Sequence, residues 1–133
     1  MKIFTLVAVI ASCLLACTKP QPLSPYLFGK WEVRKTYGGF IIPPDSTYKP
    51  GNGNVMQFNG DSTYSHFNQN VLVSKGVFHI RTGAFKNGTT VYDEIYFGSD
   101  SSARSLIILS GDILTLKPLI PDISTTDYQK IGD

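Results

Sequence analysis

Beyond Pro25, no stretch of this chain keeps a 3.6-residue apolar period. Short runs rich in Val, Ile, Tyr, Phe and Thr recur instead, separated by Gly, Asn, Asp and Pro. This punctuation confines the chain to an all-β fold, because a two-residue repeat buries one face of a strand and leaves the other wet. Eight strands are expected: Gly29–Tyr37, Val55–Phe58, Ser62–Phe67, Val71–Ile80, Val91–Phe97, Arg104–Leu109, Ile113–Lys117 and Thr125–Ile131. In the first, Trp31, Val33 and Tyr37 share one face, and Glu32, Arg34 and Thr36 the other. Asn59-Gly60-Asp61 and Ser110-Gly111-Asp112 read as tight turns, since Asn and Gly tolerate positive φ. Gly76 reads as a bulge, and Thr82–Thr90 as a polar loop. Two longer connections stand out. Gly38–Asn54 mixes Gly and Pro with Phe40, Ile41, Ile42 and Tyr48, and Pro118–Ser124 sets Leu119, Ile120 and Ile123 among prolines. Long loops that carry apolar side chains are expected to pack on something or to serve function.

The first residues are of a different kind. Met1-Lys2 precedes an apolar run that ends at Leu14-Leu15-Ala16-Cys17. A positive start, a short apolar core and a small residue before the cut make a secretory signal. The run falls short of the about 20 residues that span a bilayer. A cysteine directly after the small residue resembles the bacterial lipoprotein signal, whose lipobox is Leu-x-(Ala/Gly)-Cys. That resemblance implies cleavage before Cys17, acylation of Cys17 and attachment to a membrane. The single lysine at the start and Thr18 after the cysteine favour the outer membrane, with the domain facing the periplasm or the outside. Residues 1–16 are then the signal peptide, 17–25 the lipidated cysteine and a Pro-rich tether, and 26–133 the folded domain. Cys13 leaves with the signal, so no thiol remains for a disulfide, a thiolate metal site or a nucleophile. Loss of Lys2 lowers the formal charge from +2 to about +1. A near-neutral domain without a basic stripe argues against nucleic acid as a partner.

Within the domain, Leu27-Phe28-Gly29-Lys30-Trp31 opens the first strand with a Gly-x-Trp motif. Gly111-Asp112 turns into Leu114-Thr115-Leu116, and Tyr128-Gln129-Lys130-Ile131 closes the chain. Together these resemble the small lipocalin-like domains of bacterial lipoproteins over essentially the whole domain. The resemblance implies an eight-stranded antiparallel up-and-down barrel, the alternatives being an open barrel or a β-sandwich. It implies that Trp31 closes one end, with Lys130 where lipocalins carry an arginine. Strand parity then places Gly38–Asn54, Gly98–Ser102 and Pro118–Ser124 around an open mouth opposite the anchor. Such an interior is either filled by side chains or holds one small ligand. The expected function is capture of a small apolar or amphiphilic ligand. Phe40, Ile41, Ile42, Tyr48, Leu119 and Ile120 would form the rim, with Met56, Tyr64 and Phe97 deeper. The alternative is a filled barrel that docks an envelope protein.

Chemistry beyond binding finds little support. His66 and His79 lie on separate strands with no third ligand at a recognisable spacing. Asp93 and Glu94 are adjacent on a strand, so they point to opposite faces and cannot act as a paired acid and base. Ser99-Asp100-Ser101-Ser102 reads as a solvated turn. No catalytic residue, metal or cofactor is expected. Acylation is directly testable: when the chain is expressed in bacteria, labelled palmitate enters the wild-type protein, which partitions with membranes. The Cys17→Ser chain takes up no label and leaves the membrane fraction.

Overall fold

The computed structural model describes residues 24–40 and 46–133. One turn of helix, α1 (Ser24–Leu27), leads into β1 (Gly29–Tyr37), β2 (Ser46–Thr47), β3 (Val55–Phe58), β4 (Thr63–Asn68) and β5 (Val71–Asn87). β6 (Thr90–Phe97), β7 (Ser105–Ser110), β8 (Ile113–Pro118) and β9 (Thr125–Gly132) follow. All pairings are antiparallel. From β3 onward each strand pairs with the next in chain order, and β1 pairs with both β3 and β9. The sheet therefore closes on itself as an eight-stranded up-and-down barrel, which excludes an open barrel and a sandwich. β2 is a short addition that continues the line of β3 along the same edge of β1.

The barrel closes where β1 meets β9. Gly29 lies there at φ +122°, and a Cβ on it would stand 2.5 Å from the carbonyl oxygen of Gly132. Only glycine permits that approach. Two residues on, Trp31 is fully buried, and its indole N–H donates to the Leu27 carbonyl oxygen at 2.7 Å. This bond draws α1 across the bottom of the barrel and buries Leu27 completely. Lys130 holds its ammonium 5.9 Å from the centre of the Trp31 ring, a cation–π contact. Above this floor the interior is occupied by side chains. Phe58 meets Phe78 edge-on at 5.2 Å, Phe97 stacks on Phe58 at 6.3 Å, and Tyr64 abuts Phe97 at 4.7 Å. Ile95 and Leu114 are fully buried among them.

Several expectations need correction. Thr82–Thr90 is not a loop. β5 continues through it to Asn87, turns tightly at Gly88 and returns in β6 at Thr90. β7 pairs only with Asp93–Ile95 of β6, so most of this hairpin tip stands clear of the barrel with both faces wet. A strand that buries neither face has no reason to alternate, which is why it read as a loop. Gly76 is not a bulge. It pairs regularly with Tyr64, and the irregularities of β5 fall opposite His66/Phe67 and between Arg81 and Phe85. Gly76 instead makes room for the Tyr64 ring, 3.3 Å from where its Cβ would be. In β1 a register shift between Val33 and Lys35 breaks the alternation. Tyr37 therefore does not share the Trp31 face; its hydroxyl donates to Asp127 at 3.3 Å. Finally, Ser24 belongs to helix, and Ser46–Thr47 to strand, where a tether and a loop were expected.

Two carboxylates are buried on the outer side of the barrel. Glu94 takes Arg104 at 3.1 Å and Arg81 at 3.4 Å, which ties β5, β6 and the approach to β7 together. Glu32 fastens the segment between β2 and β3. It accepts the backbone N–H of Gly53 at 3.0 Å and of Gly51 at 2.9 Å, with the Arg34 guanidinium at 2.6 Å. The Asn52 amide donates to the Val33 carbonyl, and the Val33 N–H donates to the Asn54 carbonyl. Burial alone would raise the Glu32 pKa, but these hydrogen bonds and Arg34 outweigh it and hold the carboxyl below its ordinary 4.5. A depressed folded-state pKa adds stability that is present above the unfolded value and lost as pH falls through the folded one. Glu32→Gln is thus expected to lower unfolding stability by about 1.5–3 kcal/mol at neutral pH. In denaturant titrations at stepped pH, the wild type should lose stability below pH 4.5. The variant should lack that part of the loss.

Candidate functional site

With the interior filled, the remaining space of interest lies at the end away from Trp31. There the ends of β1, β4 and β9 and the connections beside them surround an open pocket of ≈ 460 Å³. Its floor is Val33 and Tyr128, and its walls carry Thr36, Tyr48, His66 and Thr126. Asn54, Asn68 and Gln69 complete the rim. Two other depressions, ≈ 560 and ≈ 420 Å³, run along β5, lined by neighbours on β4, β5 and β6 and by the turn residue Ser62. The mouth is distinguished by convergence: its polar groups come from segments far apart in the chain and meet at one place, as ligand sites do.

The rim is fastened by the same segment that Glu32 holds. Gln69 and Asn70 both adopt positive φ, 49° and 66°, and form the β4–β5 turn. The Gln69 N–H donates to the Asn54 side-chain oxygen at 3.0 Å, and the Asn70 N–H donates to the Gly53 carbonyl at 2.9 Å. Gly53, at φ +73°, passes so close that a Cβ would lie 2.6 Å from the Asn70 amide. Loop and turn thus form one wall of the mouth.

None of the nine lining side chains carries a fixed charge. Burial raises the Tyr128 pKa to about 12, so its phenol stays neutral. Burial lowers the His66 pKa, which keeps the imidazole neutral at pH 7. Among the described residues, the His66 ring, the Tyr48 hydroxyl and the Asn68 amide have no hydrogen-bond partner in the protein. The mouth therefore combines two tyrosine rings with neutral donors and acceptors.

The residues expected at the site do not all come together. Tyr48 lines the mouth. Met56, Tyr64 and Phe97 belong to the packed interior beneath it. Leu119 and Ile120 lie between β8 and β9, where the Leu119 N–H donates to the Arg104 carbonyl and Ile120 is partly exposed. Phe40 is 88% exposed. Ile41, Ile42 and Cys17 lie outside the described residues. Trp31 sits at the opposite end of the barrel, buried beneath α1. What sequence reasoning missed is the polar lining, namely Thr36, Asn54, His66, Asn68, Gln69 and Thr126. Its signal was position, since each sits at a strand end or beside a turn on the mouth side. By NMR, His66 should titrate below 6.5. Its protonation should destabilise the fold, because a lowered folded-state pKa means that the unfolded chain binds the proton more tightly. No family model, no curated protein and no solved structure matches this chain.

Proposed function

We propose that this chain is a lipid-anchored, lipocalin-like lipoprotein of the bacterial cell envelope whose barrel mouth binds a small amphiphilic ligand with an uncharged polar head. The mouth pocket carries this reading. Its ≈ 460 Å³ falls within the roughly 300–1,000 Å³ of small-molecule sites. A charged ligand would shed water there without meeting an opposite charge, which is costly. A wholly apolar ligand would leave the Asn68 amide and the Tyr48 hydroxyl unpaired. An amphiphile lets Val33 and the two tyrosine rings take the apolar part while amides and hydroxyls take the head.

Orientation supports the same reading. α1 enters at the closed end, so an anchor at Cys17 attaches below and the mouth faces away from an outer membrane. The filled interior beneath the mouth also suits the second reading, a solid barrel that docks an envelope protein. Calorimetry on the full-length chain in lipid nanodiscs separates the two. Octyl glucoside is expected to bind saturably and more tightly than octanoate or octylamine. Tyr48→Ala or Asn68→Ala should weaken it about tenfold, the loss of one good hydrogen bond or ring contact. No saturable binding, or preference for a charged amphiphile, rejects the ligand reading.

A further inference from the structure

The polar lining of the mouth does not stop at its rim. Asn68 and His66 line the pocket, and two-residue alternation puts Tyr64 on the same face of β4. The Tyr64 ring lies inside the barrel, its centre 4.7 Å from that of Phe97. On β5, Ser74 stands directly opposite His66, and Gly76 opposite Tyr64. Directly opposed residues share a face of the sheet. Asn68, His66, Ser74 and Tyr64 therefore form one stripe down the inner wall. From Asn68 to Tyr64 it runs about 13 Å.

The stripe carries no fixed charge, and its polar groups are free. The Asn68 amide, the His66 ring and the hydroxyls of Ser74 and Tyr64 make no hydrogen bond to any described residue. A buried hydroxyl in that state would be costly. Tyr64 escapes the cost: its ring packs on the core, but its oxygen still reaches solvent, since Arg104 Nε is the only buried side-chain polar atom without a partner among the described residues. Access comes from the β5 side. β6 ends at Phe97, opposite Phe78, and the Gly98 N–H closes the ladder on the Val77 carbonyl. Above that bond β5 has no strand beside it, and Ser74 and Gly76 are exposed. The stripe thus leads from the mouth to a gap in the barrel wall.

We propose that this stripe reads the head of the ligand, and that the head is a chain of at least two sugar units. The inference rests on the mouth being a ligand site. An alkyl chain laid along the stripe would leave its amide, imidazole and hydroxyls unpaired. A charged head would find no opposite charge there, because Lys75 lies on the other face of β5. An uncharged, hydroxyl-rich chain offers a donor and an acceptor at every step. One hexose ring beside Asn68 does not reach Tyr64, whereas a second ring continues past His66 and Ser74 toward it. The gap beside β5 lets such a head extend without displacing the core.

Calorimetry on the full-length chain in lipid nanodiscs tests this with octyl glucoside and octyl maltoside, which share a tail and differ by one glucose. Octyl maltoside is expected to bind about tenfold more tightly, the gain of one good hydrogen bond. Tyr64→Phe and Ser74→Ala each remove a hydroxyl and keep the shape of the wall; both should take away most of that gain. Ser65→Ala removes a hydroxyl from the outer face of the same strand and should keep it. Saturable binding with equal affinity for the two glycosides overturns the stripe and leaves the mouth standing. A gain that survives both inner substitutions, or that Ser65→Ala abolishes as well, also overturns it. No binding of either glycoside rejects the mouth as a ligand site and this inference with it.

Discussion

The barrel depends on the seam between β1 and β9. There Gly29 lets the first strand approach the last, Trp31 fills the floor, and its indole N–H holds the carbonyl of Leu27 so that α1 seals the end. Removing a buried aromatic of this size typically costs about 3–5 kcal/mol. Small domains have only about 5–15 kcal/mol in all. One side chain thus commands a large share of what keeps the barrel closed. Lys130 adds a cation above the indole from the opposite strand, so both sides of the seam contribute to one contact.

A second dependency runs along the outside of β1. Glu32 is buried because the loop before β3 folds over it, and that loop folds there because the carboxylate collects its N–H groups. The loop then grips the β4–β5 turn through Asn54 and Gly53. A charge on the outer face of the first strand in this way sets the position of amide groups that look into the mouth. The candidate site is therefore a by-product of packing on the opposite face of the wall, which keeps its polar rim in place without a ligand.

Most of the barrel strands were legible because a buried face leaves an alternating record; the start of β5 was legible from its β-branched composition instead, since Val71–Val77 is exposed throughout. Trp31 and the Gly-x-Trp opening were legible from alternation, as an aromatic at the start of an alternating run. The far half of β5 was not, since Arg81–Asn87 projects beyond the barrel and has no buried face to record. Tyr37 was misplaced because one bulge after Val33 shifts the alternation, and a bulge leaves no mark in composition. At the site, hydrophobicity was a poor guide. Met56, Tyr64 and Phe97 are apolar because they are core, whereas Asn54, Asn68, Gln69 and Thr126 are polar because they border water. Reading a mouth of this kind from sequence requires asking which polar residues end a strand, not which apolar residues interrupt a loop.

The strand order has a consequence for how the molecule is made. Neighbouring strands from β3 to β9 pair with the segment just before them, so those hairpins can zip as the chain emerges. β1 is the exception: besides β3 it needs β9, the last strand to be synthesised. Contacts so distant in sequence form late, because the chain between them must be ordered first. Until Gly132 arrives, Trp31 has half its surroundings and the barrel stays unsealed. That delay is written into topology alone: the hairpins can form in any order, but closure waits on the last strand.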